Sequence, residues 1–85
     1  MPKIDEGEFR LEIRLDDHEP AHCHAVCSGG EVKIKLIEDG AIVYPMLSKS
    51  PVSGNLNKPD VKKALKAARK HQKALWDLWN KYHGE

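Results

Sequence analysis

The chain has 85 residues, a formal net charge of +1 and 32% charged residues, and a chain this short buries a single core, so we expect one domain. No stretch approaches the roughly 20 apolar residues of a membrane span, and no apolar run follows Met1 as in a signal peptide. With two cysteines and no secretion signal, the composition favours a cytoplasmic protein with reduced thiols over a membrane-spanning or disulfide-stabilised one.

Alternating apolar and polar residues predict the first strand over residues 8–15. Its apolar face consists of Phe9, Leu11, Ile13 and Leu15. This is the period-2 pattern of a half-buried strand. Asp and Pro residues interrupt the alternation at positions 16–20 and predict a turn.

Three further strands are predicted over residues 22–27, 32–36 and 41–44. Ser28, Gly29 and Gly30 favour a tight hairpin between the first two of these. The connections are too short for parallel crossovers, so residues 8–47 should form a four-stranded antiparallel meander.

Residues 48–56 have a loop composition, and a helix is predicted over residues 57–83. Asn57 and Asp60 are placed to form a capping box, and Pro59 suits a first helical turn. One apolar stripe then recurs at steps of four and three: Val61, Leu65, Ala68, Gln72, Leu75, Trp79 and Tyr82. The predicted fold is therefore α+β, with the meander packed against a long C-terminal helix.

This helix is too long for its sheet. At about 1.5 Å per residue it would span nearly 40 Å, whereas strands of six or seven residues cover about 20 to 24 Å. Either the helix breaks near His71 and Gln72 and returns Trp79 to the core, or its end projects. We expect the second arrangement, in which Trp79 and Tyr82 contact a partner.

Three of the five histidines and both cysteines fall between Asp16 and Cys27. On a strand, His22 and His24 project from one face, so their rings can converge. His18 or Asp17 from the preceding turn would supply further ligands for a weak Zn²⁺ site. Cys23 and Cys27 point to the opposite face, where we expect them to be buried and unreactive.

Two other interpretations of His18, His22 and His24 remain open. As acid and base they would cleave RNA, provided that Lys33 and Lys35 lie beside them to hold a phosphate. Alternatively they order the turn or form a polar partner-facing surface, with no cofactor, which we favour.

The charge is unevenly distributed, with a net of −4 in residues 1–20 and +5 in residues 57–85. The helix carries a basic stripe of Lys62, Lys66, Arg69 and Lys73. Beside the stripe lie the aromatic residues Trp76, Trp79 and Tyr82. Such a surface suits an acidic protein or a phosphate backbone, unless the acidic N-terminal segment pairs with it internally.

The segment Asp17-His18-Glu19-Pro20-Ala21-His22-Cys23-His24-Ala25, together with Leu75-x3-Trp79 late in the helix, resembles the bacterial domain-of-unknown-function family 4160. The family usually has a second proline at Ala21 and phenylalanine at Cys23. Its family-like positions are His18, Pro20, His22, His24 and Trp79. The resemblance implies a small bacterial protein encoded beside another small protein, in a toxin–antitoxin-like pair, and no established activity.

We therefore expect a cytoplasmic interaction module without membrane contact. Its partner would be a small protein encoded nearby or a second copy of the chain. The alternative is a small histidine-dependent enzyme, with or without a metal, that binds and cleaves RNA.

Overall fold

The structure is a computed structural model that describes residues 3–14, 21–39 and 42–83. These residues form five strands and two helices. The strands are β1 (Lys3–Glu6), β2 (Phe9–Glu12), β3 (His22–Cys27), β4 (Gly30–Asp39) and β5 (Ile42–Gly54), and the helices are α1 (Lys58–Lys70) and α2 (Gln72–His83). The α+β fold predicted from the sequence is confirmed.

The five strands form one antiparallel meander in the order β1-β2-β3-β4-β5. The predicted hairpin at Ser28 and Gly29 is present, and it pairs Cys27 with Gly30. Gly7, in the turn between β1 and β2, has a φ of 59°, a left-handed conformation that glycine adopts without steric cost. Every pair of neighbouring strands is also consecutive in sequence, as the short connections predict.

Two features of the sheet differ from the prediction of four strands. β1 is an additional strand, and it pairs with β2 although Ile4 is its only apolar residue. The predicted loop at residues 48–56 is largely strand, because β5 continues to Gly54. Within this stretch Val52, Ser53 and Gly54 pair with Val32, Glu31 and Gly30 of β4, so pairing overrides the loop-like composition there.

β5 pairs with β4 in two segments that differ in register. Leu47 pairs with Ile34 and Val52 pairs with Val32. Between Leu47 and Val52, β5 has four residues, whereas between their partners on β4 there is only Lys33. The extra residues of β5 form a bulge. The bulge brings Leu47 and Val52, five positions apart in sequence, to neighbouring places on one face of the sheet.

α1 packs on the face of the sheet that carries Leu11, Cys23 and Ile34, whereas α2 also contacts His22 through Trp79. The buried core consists of Phe9, Leu11, Ile13, Ala21, Cys23, Ala25, Val32, Ile34, Leu36, Ala64, Ala67, Ala68, Leu75 and Trp79. Small residues line the buried face of α1, which lets the helix approach the sheet closely. Neither helix has the length and apolar character that crossing a bilayer requires.

The predicted helix breaks at His71, which ends α1 and precedes α2. The His71 amide donates to the carbonyl groups of Ala67 and Ala68, while the His71 carbonyl accepts from the amide of Leu75 at 2.9 Å. The break returns α2 to the domain, and Trp79 is only 2% exposed. The expectation that Trp79 projects towards a partner is therefore wrong, whereas Tyr82 is exposed.

Candidate functional site

The two histidines of β3 converge, as their spacing predicts. The ring centroids of His22 and His24 lie 5.0 Å apart in an edge-to-face arrangement. Both residues are buried, with exposed fractions of 6% and 7%. The His22-x-His24 spacing therefore predicted the contact between the two rings, but it did not predict that both rings are buried.

The strand register places charged residues on the same face as these histidines. Lys35 is the cross-strand partner of His22, and Lys33 and Glu12 flank His24 from the two neighbouring strands. Directly paired residues in an antiparallel sheet project from the same face. Lys33 and Lys35 therefore lie beside His24 and His22, as the RNA-cleavage interpretation requires of residues that would hold a phosphate.

Glu31 connects His24 to an arginine network. Its Oε2 lies 2.7 Å from Nδ1 of His24, and its Oε1 accepts from Nη2 of Arg14 at 3.2 Å. Arg14 also donates to Oε1 of Glu12 at 3.4 Å, and Nε of Arg10 donates to Oε2 of Glu12 at 2.6 Å. The result is a continuous chain of polar contacts that joins β2, β3 and β4.

The network sets the protonation of its central carboxyl group. Burial alone raises the pKa of Glu31, but hydrogen bonds from His24 and Arg14 outweigh burial and hold the pKa below its ordinary value. Glu31 is consequently ionised at neutral pH and only accepts hydrogen bonds. The contact with Glu31 at 2.7 Å fixes the orientation of the His24 ring.

An aromatic stack joins the histidines to α2. The Trp79 ring centroid lies 5.7 Å from that of His22, and His83 stacks on Trp79 at 3.9 Å with an interplanar angle of 11°. Leu75, one turn earlier, is fully buried in the core. His22 is thus a packing partner of α2 as well as of His24.

The predicted metal site is only partly within the described structure. His22 and His24 are placed as above, whereas Asp17 and His18 lie outside the described residues. Within residues 3–14, 21–39 and 42–83, no group of three or more His, Cys, Asp or Glu side chains is arranged to hold a metal ion. The four-residue site, and any catalytic role of His18, stay predictions.

The cysteines occupy the helix-covered side of β3, as predicted from their alternation with the histidines. Cys23 is fully buried, and burial raises the pKa of its thiol to about 12. Cys27 is half-buried and packs against the edge of the core. Because the thiolate is the reactive form, Cys23 is poorly suited to nucleophilic chemistry.

The basic stripe lies on the outer surface of α1 and at the start of α2. Its four members, Lys62, Lys66, Arg69 and Lys73, are all exposed. Of the flanking aromatic residues, Tyr82 is exposed, Trp76 is half-buried and Trp79 belongs to the core. The cations of the predicted surface are therefore exposed, whereas Trp79 is buried, and a role of this surface in binding stays a prediction.

The acidic N-terminal strands pair with cations beside the stripe rather than with the stripe itself. Glu6 accepts from Lys70 at 3.3 Å and lies 2.7 Å from Nε2 of His71. The His71 bond and then the Lys70 bond lower the pKa of Glu6. Lys63 lies 3.8 Å from Glu8. Internal pairing therefore accounts for part of the charge asymmetry and leaves the stripe facing outwards.

Sequence reasoning missed Glu31 and an apolar groove beside β5. Glu31 was accessible from the sequence, because a hairpin at Ser28 and Gly29 places it two positions along the ladder from His24. The groove has a volume of about 320 Å³. It is lined by Leu47, Pro51, Val52, Leu56, Asn57, Lys58, Val61 and Lys62. It depends on the β5 bulge, for which the sequence carries no pattern.

Comparison with known proteins gives one match. No curated protein and no solved structure is significantly similar to the chain. A family model described as a domain of unknown function, DUF4160, matches residues 9–80. This range includes β2 to β5, α1 and most of α2, with the histidine pair, Trp79 and the basic stripe. The chain therefore belongs to the DUF4160 family.

Proposed function

We propose that this protein is an interaction module that binds an acidic protein partner through the basic stripe of α1. The observation that carries the proposal is the outward exposure of Lys62, Lys66 and Arg69 along α1 and of Lys73 at the start of α2. The neighbouring Lys63 and Lys70 are instead within ion-pair distance of Glu8 and Glu6. A row of like charges stabilises neither the helix nor the core, so complementarity to a partner explains it better.

The state of the histidines supports binding rather than catalysis. His24 is buried and oriented by Glu31, and His22 is packed between His24 and Trp79. These contacts order the β3 segment against α2. A catalytic pair would need access to a substrate, and exposed fractions of 6% and 7% provide little.

For the partner, we propose a small protein encoded next to this one, in a cytoplasmic toxin–antitoxin-like pair of a bacterium. This proposal for the partner is supported by the family resemblance and by the positive charge of the stripe. A second copy of the chain is the alternative partner. In either case the stripe steers association, because exposed charges at the rim of an interface change the association rate more than the affinity.

The test is co-expression of the chain with the neighbouring gene product, followed by affinity measurement at several salt concentrations. The double variant Lys66→Glu/Arg69→Glu should bind about tenfold more weakly, equivalent to about 1.4 kcal/mol. It should also show a weaker salt dependence. The matched control is Lys3→Glu/Lys33→Glu, which makes the same change in net charge at exposed positions on the sheet. Equal losses in both variants, or none in either, would contradict the proposal.

One observation favours a second candidate, histidine-dependent RNA cleavage. Lys33 and Lys35 lie opposite His24 and His22 on the same face of the sheet, so they are placed to hold a phosphate beside an acid–base pair. Glu31 would orient His24 as a base, with or without a metal nearby. Incubation with single-stranded RNA tests this candidate. Cleavage that is abolished by His24→Gln, but not by Lys81→Gln, would support catalysis over the interaction module.

A further inference from the structure

The groove beside β5 exposes apolar side chains at the edge of the hydrophobic core. Leu47 and Val52 pair with Ile34 and Val32, which are fully buried. Paired residues share a face, so Leu47 and Val52 belong to the core-forming side of the sheet. They are nevertheless 38% and 39% exposed, and they line the groove together with Val61 and Lys62 of α1.

The opposite wall of the groove combines apolar and basic residues of the α1 N-terminus. Leu56 and Val61 pack against the edge of the core, and Lys58 and Lys62 are exposed at the rim. The volume of about 320 Å³ is at the lower end of the range of about 300 to 1,000 Å³ that ligand pockets occupy. The groove therefore offers an apolar floor and a positively charged rim.

We propose that this groove binds a short acidic segment of a partner protein, which inserts an apolar side chain between β5 and α1 and places carboxylates on Lys58 and Lys62. The inference rests on the proposed function and specifies the chemistry of the partner. Burial of an apolar side chain supplies affinity, and the two lysines select its flanking charges.

The groove and the basic stripe are continuous, because Lys62 belongs to both. From Lys62 to Arg69, both on α1, the helical rise amounts to about 10 Å, which an extended peptide covers in about three residues at about 3.3 Å each. A single segment with one apolar anchor and about three following residues, several of them acidic, would therefore contact both the groove and the α1 part of the stripe.

Two other occupants fit the groove less well. A strand added to the edge of β5 would need backbone donors, but Pro45 and Pro51 remove two of them. A two-fold dimer built on the groove would place the same patch on both subunits. The positively charged rim formed by Lys58 and Lys62 would then meet a second rim of the same charge, and the two would repel each other.

The test selects twelve-residue peptides from a random phage-displayed library against the wild-type protein. Binding of the selected peptides is then measured by fluorescence polarisation with Val52→Asp and Met46→Asp. Met46 lies on the same strand and is also exposed, but it is outside the groove lining, so it controls for the introduced charge. Thermal melts of both variants verify that they fold.

We expect enriched peptides with an apolar residue flanked by carboxylates. Val52→Asp should weaken their binding about tenfold or more, whereas Met46→Asp should leave it unchanged. Lys58→Gln/Lys62→Gln should lower affinity for the acidic peptides and not for their carboxamide analogues. No enrichment, or peptides without acidic residues, or peptides that bind Val52→Asp equally well, would overturn the proposal.

The same variants separate this inference from the proposed function. If Val52→Asp weakens binding of the neighbour-encoded protein and Lys66→Glu/Arg69→Glu does not, the groove binds a partner and the role proposed for the stripe is wrong. If the stripe variant alone weakens binding, the groove proposal is overturned. If wild-type protein sediments as a dimer that Val52→Asp dissociates, the groove is a self-association surface and the acidic-segment proposal is overturned.

Discussion

Glu31 is the residue on which the order of the polar face depends. Its two oxygens accept from His24 and Arg14 at once, and Arg14 passes the connection on to Glu12. Glu31 is only partly buried, so solvent screens these bonds and each contributes modestly. The arrangement fixes the His24 ring rather than supplying much stability.

We predict a pH-dependent stability difference between the wild type and Glu31→Gln. Because the folded-state pKa of Glu31 lies below the ordinary 4.5, its contribution is present above that value and is lost as the pH falls through the folded-state pKa. Glu31→Gln should therefore be less stable by about 1 kcal/mol at pH 7. The difference should close below pH 4.5 in urea denaturation measured from pH 7 to pH 3.

Glu8→Gln serves as the control, since Glu8 is exposed and its distance of 3.8 Å to Lys63 is long for an ion pair. It should change stability little at any pH. If the loss of stability in Glu31→Gln stayed constant down to pH 3, the altered side-chain packing, and not the lost charge of Glu31, would explain it.

At the scale of the element, the two ends of α1 are determined by different kinds of interaction. The start is local: the Asn57 side chain accepts from the amide of Asp60 at 3.1 Å, and Asp60 accepts from the amide of Asn57 at 3.3 Å. The end at His71 is tertiary, because Glu6 of β1 contacts both Lys70 and His71. The start could be predicted from three residues of sequence, whereas a break near His71 was one of two arrangements that the sequence left open.

Loss of the N-cap should therefore have a measurable and local cost. We predict that Asn57→Ala lowers the free energy of unfolding by about 1 kcal/mol, which corresponds to a decrease in Tm of about 4 to 8 °C for a domain of this size. Asn55→Ala, two residues away and also exposed, should have little effect in the same calorimetric scan. Equal decreases would mean that the capping box is not responsible.

At the scale of the whole molecule, Trp79 connects the last helix to the sheet. It is buried in the core, contacts His22 of β3 and is stacked by His83. Without this contact, α2 would retain Leu75 as its only other fully buried side chain. The position of α2 therefore depends strongly on one aromatic residue.

We predict that Trp79→Ala lowers the free energy of unfolding by about 3 to 5 kcal/mol, as is usual for a large aromatic residue in a core. Since small domains have only about 5 to 15 kcal/mol in total, Trp79→Phe provides a milder variant that should still fold. Chemical denaturation followed by circular dichroism measures both. Tyr82→Ala, exposed on the same helix, should cost much less, and comparable losses for the two would contradict the core assignment.

What the sequence determined by itself is local or depends on the nearest neighbour in the chain. The alternation around Leu11 defines β2, Ser28 and Gly29 define a hairpin, and Asn57 begins a helix. The step of two between His22 and His24 places both rings on one face. These features follow from backbone periodicity and turn preference, which act over a few residues.

Tertiary structure decided the features on which the proposals depend. Strand pairing with Gly30, Glu31 and Val32 of β4 extends β5 into a loop-like segment, and the bulge opposite Lys33 brings Leu47 beside Val52. The break at His71 returns Trp79 to the core and His22 becomes buried. In each case the stabilising free energy comes from contacts between residues that are distant in sequence, and it exceeds the local conformational preference. Such contacts produce no periodic pattern in the sequence.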